Sequence, residues 1–382
     1  MKKRVLIVTA PLNIGGFDII ATNLHAYLDK NKFDCTFYIK GEQIGPLESK
    51  VIERGAKVIH KPNHIKGYVN EYRHLKQTMT EGKYDIVHSH LMFYSGLVMR
   101  AAYKAGIKKR IPHSHMTNPC MQNRSIIKRI AAKLYSIVMK RWLNKYGTDL
   151  IACGPEAGAY LYGKRSFNKR GILLNNAIEL NRFRYDLEIR KKIRKEMNCE
   201  DKLIVGHVGR LNYVKNHKFL VSVFYEIQKL HRNSLLLIVG EGKERENIEK
   251  QVKKLEITDK VIITGLRNDV ENLLMAMDIF IFPSLYEGLP VTLIEAQATK
   301  LPCLISDTVT RYAKQNENVR YFSLKKKPQK WAQRAIKLSE YKREFISTSK
   351  LESGFDIRNI AKKLEKIYLG EVKHEKSANS AF

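Results

Sequence analysis

Short apolar runs alternate with helix-length stretches along almost the whole of this 382-residue chain, and that alternation is the strongest constraint on its fold. Val5–Ala10 is a continuous apolar run between basic residues and Pro11, as expected of a strand buried on both faces. Asp34–Ile39, Ala56–His60, Asp85–His88, Arg110–His113 and Asp149–Cys153 read as further strands, with a first helix over about Asp18–Lys30. Such alternation predicts an α/β fold with a parallel sheet covered by helices on both faces. The pattern then restarts with Lys202–Val208, a helix over Asn216–Arg232, and strands at Leu235–Gly240, Val261–Thr264, Asp278–Phe282 and Pro302–Ile305. Two successive α/β domains are expected, joined by the charged segment Glu179–Asp201. Near the end, Asp356 has N-cap character, with Phe355 and Ile360 at staple spacing around it. Ile357, Ile360, Ala361, Leu364 and Ile367 then form a helical stripe. The expected organisation is a first domain over 1–178, a second over 179–355, a closing helix over 356–370 that returns to the first domain, and a polar tail over 371–382.

Charge is the compositional outlier. Lys and Arg number 69 against 38 Asp and Glu, a net charge of +31. A field of that size attracts phosphates, nucleic acid or an anionic membrane face. From Arg100 to Thr148 there are twelve Lys/Arg and no acidic residue. A helix over Ser125–Tyr146 places Ile126, Ile130, Leu134, Ile137 and Val138 on one arc, with Arg129, Lys133 and Lys140 beside it. The arc is expected to face the domain core, leaving the basic edge to reach anionic headgroups. No apolar run approaches the ~18 residues of a membrane span. The run after basic Met1–Arg4 stops at Pro11, too short for a signal peptide. Five scattered cysteines with no C-x-x-C pair fit reduced thiols in a cytoplasm.

Ligands of doubly wound sheets bind beyond the carboxyl ends of strands, and three loops stand out there. Asn13–Gly16 carries paired glycines that let backbone N–H groups approach a ligand, although a tight turn alone would use them too. Gly206–Asn216 follows a strand with Arg210 and Lys215, a planar fork and a point charge suited to a diphosphate; solvated surface cations are the alternative. Pro283–Ala296 runs from a strand through Gly288-Leu289-Pro290 into a helix, with Glu287 before the helix and Glu295 about two turns along it. Carboxylates so placed suit sugar and ribose hydroxyls. The plainer alternative is one Glu favoured by the helix dipole and another on the surface.

Glu287 to Glu295 is an E-x7-E pair, and with its surroundings it resembles the signature of retaining GT-B glycosyltransferases of family 4. Phe282–Ala298, Gly206–Lys215, Gly15-Gly16, Gly240-Glu241-Gly242 and Leu174–Phe183 resemble that family in the same order, over about residues 4–370. Arg110–His115 and Leu301–Thr308 resemble most closely its bacterial exopolysaccharide and capsule branch. The resemblance implies two Rossmann-like domains with parallel sheets facing across a cleft. It implies an enzyme that moves a hexosyl unit from a nucleoside-diphosphate sugar, UDP favoured over GDP, to a polyprenyl-diphosphate-linked sugar or oligosaccharide acceptor. Arg210 and Lys215 would hold the diphosphate, Glu295 the ribose and Glu287 the donor sugar. Gly288, Leu289 and Thr292 would help hold phosphate and sugar, Leu266 would line the base, and Gly16 would approach the donor phosphate. A histidine of the first domain, His113 or preferably His115, would line the reaction centre. In the interdomain segment Asn176–Glu179, Ala177 stands where the family commonly has Gly, and Glu179 where it has Asp. The branch implies a cytoplasmic enzyme, peripheral at the inner face of the cell membrane.

Other motifs are weaker. The chain has no Asp-x-Asp; its nearest approach, Asp269-Val270-Glu271, reads as a helix cap. Arg210 and Lys215 can supply the positive charge a departing diphosphate needs, so no metal or other cofactor is expected. His88-Ser-His90 and His113-Ser-His115 share a strand face, which suits an acceptor pocket better than zinc. Gly158–Arg165 resembles a P-loop lacking its Ser/Thr, and no G-x-G-x-x-G is present. A basic nucleic-acid-binding protein or a non-catalytic relative are the alternatives. The first shows no recognition motif, so no nucleic-acid partner is expected, and the second conflicts with the intact Arg210, Lys215, Glu287 and Glu295.

Overall fold

The computed structural model describes residues 1–13, 17–116, 126–343 and 346–372. The chain divides into two units, one formed by Met1–Ala177 together with the chain from Ile357, the other by Ile178–Asp356. In the first unit the strands are β1 (Lys3–Thr9), β2 (Phe33–Ile39), β3 (Lys57–His60), β4 (Ile86–Ser89), β5 (Lys109–Ser114), β6 (Leu150–Ala152) and β7 (Gly171–Leu173). They form one sheet in the order β3-β2-β1-β4-β5-β6-β7, every pair parallel. Val5, Leu6, Val8, Phe37, Val87 and Ile111 lie fully buried within it, as covering on both faces demands. The helix Ser95–Lys104 packs against the helix Ile126–Tyr146 through Gly96, where an added Cβ would lie 2.9 Å from the Met139 carbonyl oxygen. The chain's last helix, Ile357–Leu369, returns here and packs on the helix Phe17–Tyr27, with Glu365 accepting from the Asp29 N–H at 2.7 Å.

The second unit contains β8 (Leu203–Val208), β9 (Ser234–Val239), β10 (Val261–Ile263), β11 (Ile279–Phe282), β12 (Cys303–Ser306) and β13 (Val319–Phe322). Their order is β10-β9-β8-β11-β12-β13, again all parallel. One face is closed by the helices His217–Leu230 and Pro328–Ser339, which bring Phe224 and Trp331 into a core with Leu236, Ile238 and Ile281.

Several expectations need correction. The Glu179–Asp201 segment is no linker: it holds the helix Leu187–Glu196, capped by Asp186 and fixed to the second unit by Arg190 and Arg194, which both reach Asp278. Two of its charges, Arg190 and Arg194, belong to a largely buried ion-pair cluster, while Glu188, Lys191, Lys192 and Glu196 are exposed. β7 and β13 are added edge strands whose short, mixed sequences carry no long apolar run. Asp269 stands at a helix N-cap position, but its carboxylate is taken by Arg267 at 2.6 and 2.8 Å and makes no cap bond. Gly158–Arg165 is helical on both sides of Gly163, which excludes a phosphate loop. The apolar arc of the Ile126–Tyr146 helix does not face the core. Met139 and Leu143 are buried instead, while Ile130, Leu134, Ile137 and Val138 point outward. Ile126, the arc's remaining member, lies outside the residues whose side chains are described.

Candidate active site

In the second sheet the chain runs outward in opposite directions from β8, so the loops after β8 and β11 part at a topological switch point. These are the two loops carrying Arg210, Lys215 and Glu287 among the predicted donor residues. The Leu285 N–H donates to the Val214 carbonyl at 2.8 Å, and the Asn216 amide donates to the Pro283 carbonyl at 3.1 Å. The loop after β9 packs onto the loop after β8 at Gly240 (φ +145°), where a Cβ would lie 2.1 Å from the Gly209 carbonyl oxygen. The loops after β8 and β11 set Lys215 Nζ 2.8 Å from Glu287 Oε1, the side chains only 13 % and 17 % exposed. The Lys215 ammonium also lies 4.4 Å over the Phe282 ring. Arg210 is exposed on the same loop as Lys215.

After Glu287 the chain passes through half-buried Gly288 and buried Leu289 into the helix Val291–Ala298. Pro290 caps that helix in extended conformation (φ −72°, ψ 113°) instead of occupying its first turn. The Thr292 hydroxyl is buried there and makes no hydrogen bond to the described residues. Glu295 follows one turn on, near the ion pair of Arg182 and Glu271 (2.7 Å). Burial, and then the Glu271 charge, push its carboxyl up to about 7 against the opposing pull of Arg182. Leu266, on the loop after β10, is exposed. Gly15 and Gly16 lie outside the described residues. Sequence reasoning missed a buried histidine pair beneath Lys215. His207 Nδ1 donates to the Ile281 carbonyl (2.9 Å), and its ring lies 4.8 Å from that of His217. The available signal was a histidine inside the otherwise apolar β8.

In the first unit, the ends of β4 and β5 bring four histidines together. His88 Nε2 lies 3.2 Å from His113 Nδ1, and His90 Nδ1 lies 2.8 Å from His115 Nε2. Tyr368 of the last helix reaches His88 Nδ1 at 2.8 Å, and Asn176 Oδ1 lies 3.2 Å from His115 Nδ1. An amide oxygen can only accept, so His115 carries its proton on Nδ1, and its Nε2 accepts from His90. His88, His90 and His113 place nitrogens within 4.8 Å of one another, close enough to share a metal ion. The His88–His113 contact, however, already engages one nitrogen of each ring. His115 keeps slight exposure where His113 has none.

Burial holds all four imidazoles neutral: His88 is lowered to about 3 and His115 to about 4, with His90 and His113 also well below the ordinary value. In the unfolded chain they titrate near 6.5. As pH falls below that value the unfolded state takes up protons that the folded state refuses. Stability should therefore fall by up to about 1.4 kcal/mol per pH unit for each histidine. Urea unfolding at pH 7 and pH 5 should show the midpoint falling steeply; equal midpoints would contradict neutral burial.

Two Rossmann-like parallel sheets, the second bearing a cation–carboxylate pair at its switch point, give the chain the fold of the GT-B class. The model for glycosyl transferases group 1 matches residues 188–350, and that for Glycosyltransferase Family 4 matches residues 14–182. Along 375 residues, 96 % of each chain, the sequence is 30 % identical to a Bacillus subtilis protein provisionally assigned as the glycosyltransferase EpsF. The chain belongs to this glycosyltransferase family. It is 24 % identical over 374 residues to the capsular polysaccharide biosynthesis glycosyltransferase CapH of Staphylococcus aureus, covering 96 % of this chain and 99 % of CapH. The fold is also that of Anabaena HepE, crystallised in complex with UDP, with a TM-score of 0.78 over 97 % of this chain and 100 % of HepE at 14 % identity.

Proposed function

We propose that this glycosyltransferase moves a hexosyl unit from a nucleoside-diphosphate sugar, UDP favoured, to a polyprenyl-diphosphate-linked sugar or oligosaccharide acceptor. The transfer retains anomeric configuration, needs no metal, and serves surface polysaccharide synthesis at the inner face of the cell membrane. The observation that carries this reading is the Lys215–Glu287 pair at the switch point of the second sheet, with Arg210 on the same loop. The capsular role in CapH's name and the UDP bound to HepE support it. As the bond from the sugar's anomeric carbon to the diphosphate breaks, negative charge grows on the departing phosphate. Arg210 and Lys215 supply two cations for that charge, Lys215 held in place by Glu287. Glu287 holds hydroxyls of the donor ring and is not a nucleophile, while N–H groups at Gly288 and Leu289 and the unpartnered Thr292 hydroxyl hold phosphate or sugar. Glu295 accepts from the ribose hydroxyls, and Leu266 lines the base. His115, backed by His113, lines the acceptor side in the first unit.

Calorimetry with UDP, GDP, ADP and a short DNA duplex, in EDTA at moderate salt, tests the donor site. Selective micromolar binding of one nucleoside diphosphate, lost in Arg210→Ala, is expected. Binding should also tighten from pH 6 to pH 8, because Glu295 accepts hydroxyls best once its carboxyl, raised to about 7, has ionised. Glu295→Gln should flatten that profile. Weak binding of everything, tightest for DNA and erased by salt, would sink the reading.

A further inference from the structure

A neutral imidazole carries one N–H and one lone pair, so a line of hydrogen-bonded imidazoles admits only two proton orders. One such line begins on the last helix. Tyr368 Oη lies 2.8 Å from His88 Nδ1, and His88 Nε2 lies 3.2 Å from His113 Nδ1. The planes of the two imidazoles differ by only 8°. The line ends at His113 Nε2, which makes no hydrogen bond to the described residues. All three side chains are buried, so bulk water offers no alternative partner. In one order Tyr368 donates to His88 Nδ1, His88 Nε2–H donates to His113 Nδ1, and His113 carries its proton on Nε2. In the other, His113 Nδ1–H donates to His88, and His88 Nδ1–H donates to the Tyr368 oxygen.

Counting the groups left unmet separates the two. The second order strands the Tyr368 hydroxyl proton, whose only hydrogen-bond partner among the described residues is His88, and also the lone pair of His113 Nε2. The first strands only the His113 Nε2–H, and the Leu174 carbonyl favours a proton on that ring. Fewer unmet buried groups favour the first order. The Tyr368 ring is held edge-on by Phe33 at 5.4 Å and meets the His88 ring at 5.8 Å, which fixes the aim of its hydroxyl. At the other end of the line, the His113 ring packs on that of His115 at 4.0 Å. We propose that Tyr368 and His88 are positioning residues for the acceptor side of the site: the Tyr368 hydroxyl sets the proton order of the line, so that His113 holds its N–H at Nε2 and keeps one orientation against His115. Tyr368 and His88 act only through His113. Their effect on sugar transfer rests on the place given to His115 in the proposed function, whereas the proton order is independent of it.

Imidazole nitrogen shifts of the full chain, read by proton–nitrogen correlation NMR without substrate, test the proton order. Wild type should show His88 and His113 protonated on Nε2; a proton on His113 Nδ1 would overturn the proposal. Tyr368→Phe keeps the ring and removes the hydroxyl, and should turn both imidazoles into tautomer mixtures. Its kcat, followed as UDP release from UDP-hexoses, should fall about fivefold, the worth of one hydrogen bond. UDP affinity should stay unchanged, because Arg210, Lys215 and Glu287 belong to the second unit. In a His113→Asn background, Tyr368→Phe should cost no further rate, since the two residues act along one line. Tautomers and kcat unchanged in Tyr368→Phe, with a loss confined to thermal stability, would reduce Tyr368 to helix packing and overturn the proposal. A wild-type chain that releases no UDP would count against the glycosyltransferase reading, and the spectra would still decide the proton order.

Discussion

Lys215→Ala should slow sugar transfer by about 10²–10³-fold, the loss typical when one preorganised charge is removed from a developing anion. That corresponds to about 3–4 kcal/mol of transition-state stabilisation. Two causes act together. The ammonium that would meet the leaving phosphate disappears, and Glu287, left at 17 % side-chain exposure, loses the partner 2.8 Å away that fixes its position. The two causes are separable. Lys215→Met keeps an apolar chain of similar length but removes the ammonium that lies over Phe282 and pairs with Glu287, so it should lose nearly as much rate as alanine. Glu287→Gln leaves Lys215 in place and should spare UDP binding while lowering kcat. Single-turnover transfer and UDP calorimetry on the three variants give the comparison. Full transfer activity in Lys215→Met would remove the lysine from the mechanism.

Asp278→Ala should destabilise the second unit by about 3–5 kcal/mol, as breaking a buried ion pair from one side does. Asp278 sits immediately before β11, accepts from Arg194 at 3.0 Å and from the Ile204 N–H at 2.7 Å, and is paired with Arg190. Arg190 also donates to the carbonyls of Met275, Ala276 and Met277, and Arg194 to that of Glu200. Without the carboxylate, two guanidinium groups remain in a largely buried site with only neutral acceptors. Burial alone would raise the Asp278 carboxyl, but the Arg190 and Arg194 charges outweigh it and hold the carboxyl below its usual range. The group is thus ionised in the folded state at pH values where the unfolded state protonates it. Its contribution is present above about pH 4 and lost as pH falls further. Thermal unfolding of wild type and variant at pH 7 should therefore differ by several degrees or more. A difference under about 1 kcal/mol would mean the cluster adds little.

The same cluster shows what the sequence could and could not reveal. Long apolar runs such as Leu235–Val239 announced their strands, because a parallel strand buried on both faces must be apolar at consecutive positions. Arg190, Arg194 and Asp278 carried no such signal: their partners lie more than 80 residues apart, so Glu179–Asp201 read as a charged linker. Edge strands β7 and β13 were hidden because short, mixed sequences serve at a sheet margin. In the candidate site, Lys215 and Glu287 were visible one by one as charged residues after strands. Their pairing is a property of sheet order, which places β8 beside β11. The long basic helix misled through periodicity itself. A 3.6-residue stripe says that apolar residues share a face, and only the packing of Gly96 against Met139 decides which face is inside.

Tyr368 meets His88 across 280 positions of sequence, and the helix that carries it belongs to the unit that the first 177 residues begin. That unit is therefore unfinished when its main portion leaves the ribosome. All of Ile178–Asp356 must be synthesised before its last helix exists. At ~5–20 residues per second, that is a wait of roughly ten to forty seconds. During it, the helix Phe17–Tyr27 lacks the final helix that packs on it, and Phe33 and His88 lack Tyr368. The second unit, continuous in sequence, has no such delay. A nascent-chain assay should find it protected from protease as soon as it emerges, with the earlier-made unit protected only after the C-terminus is released.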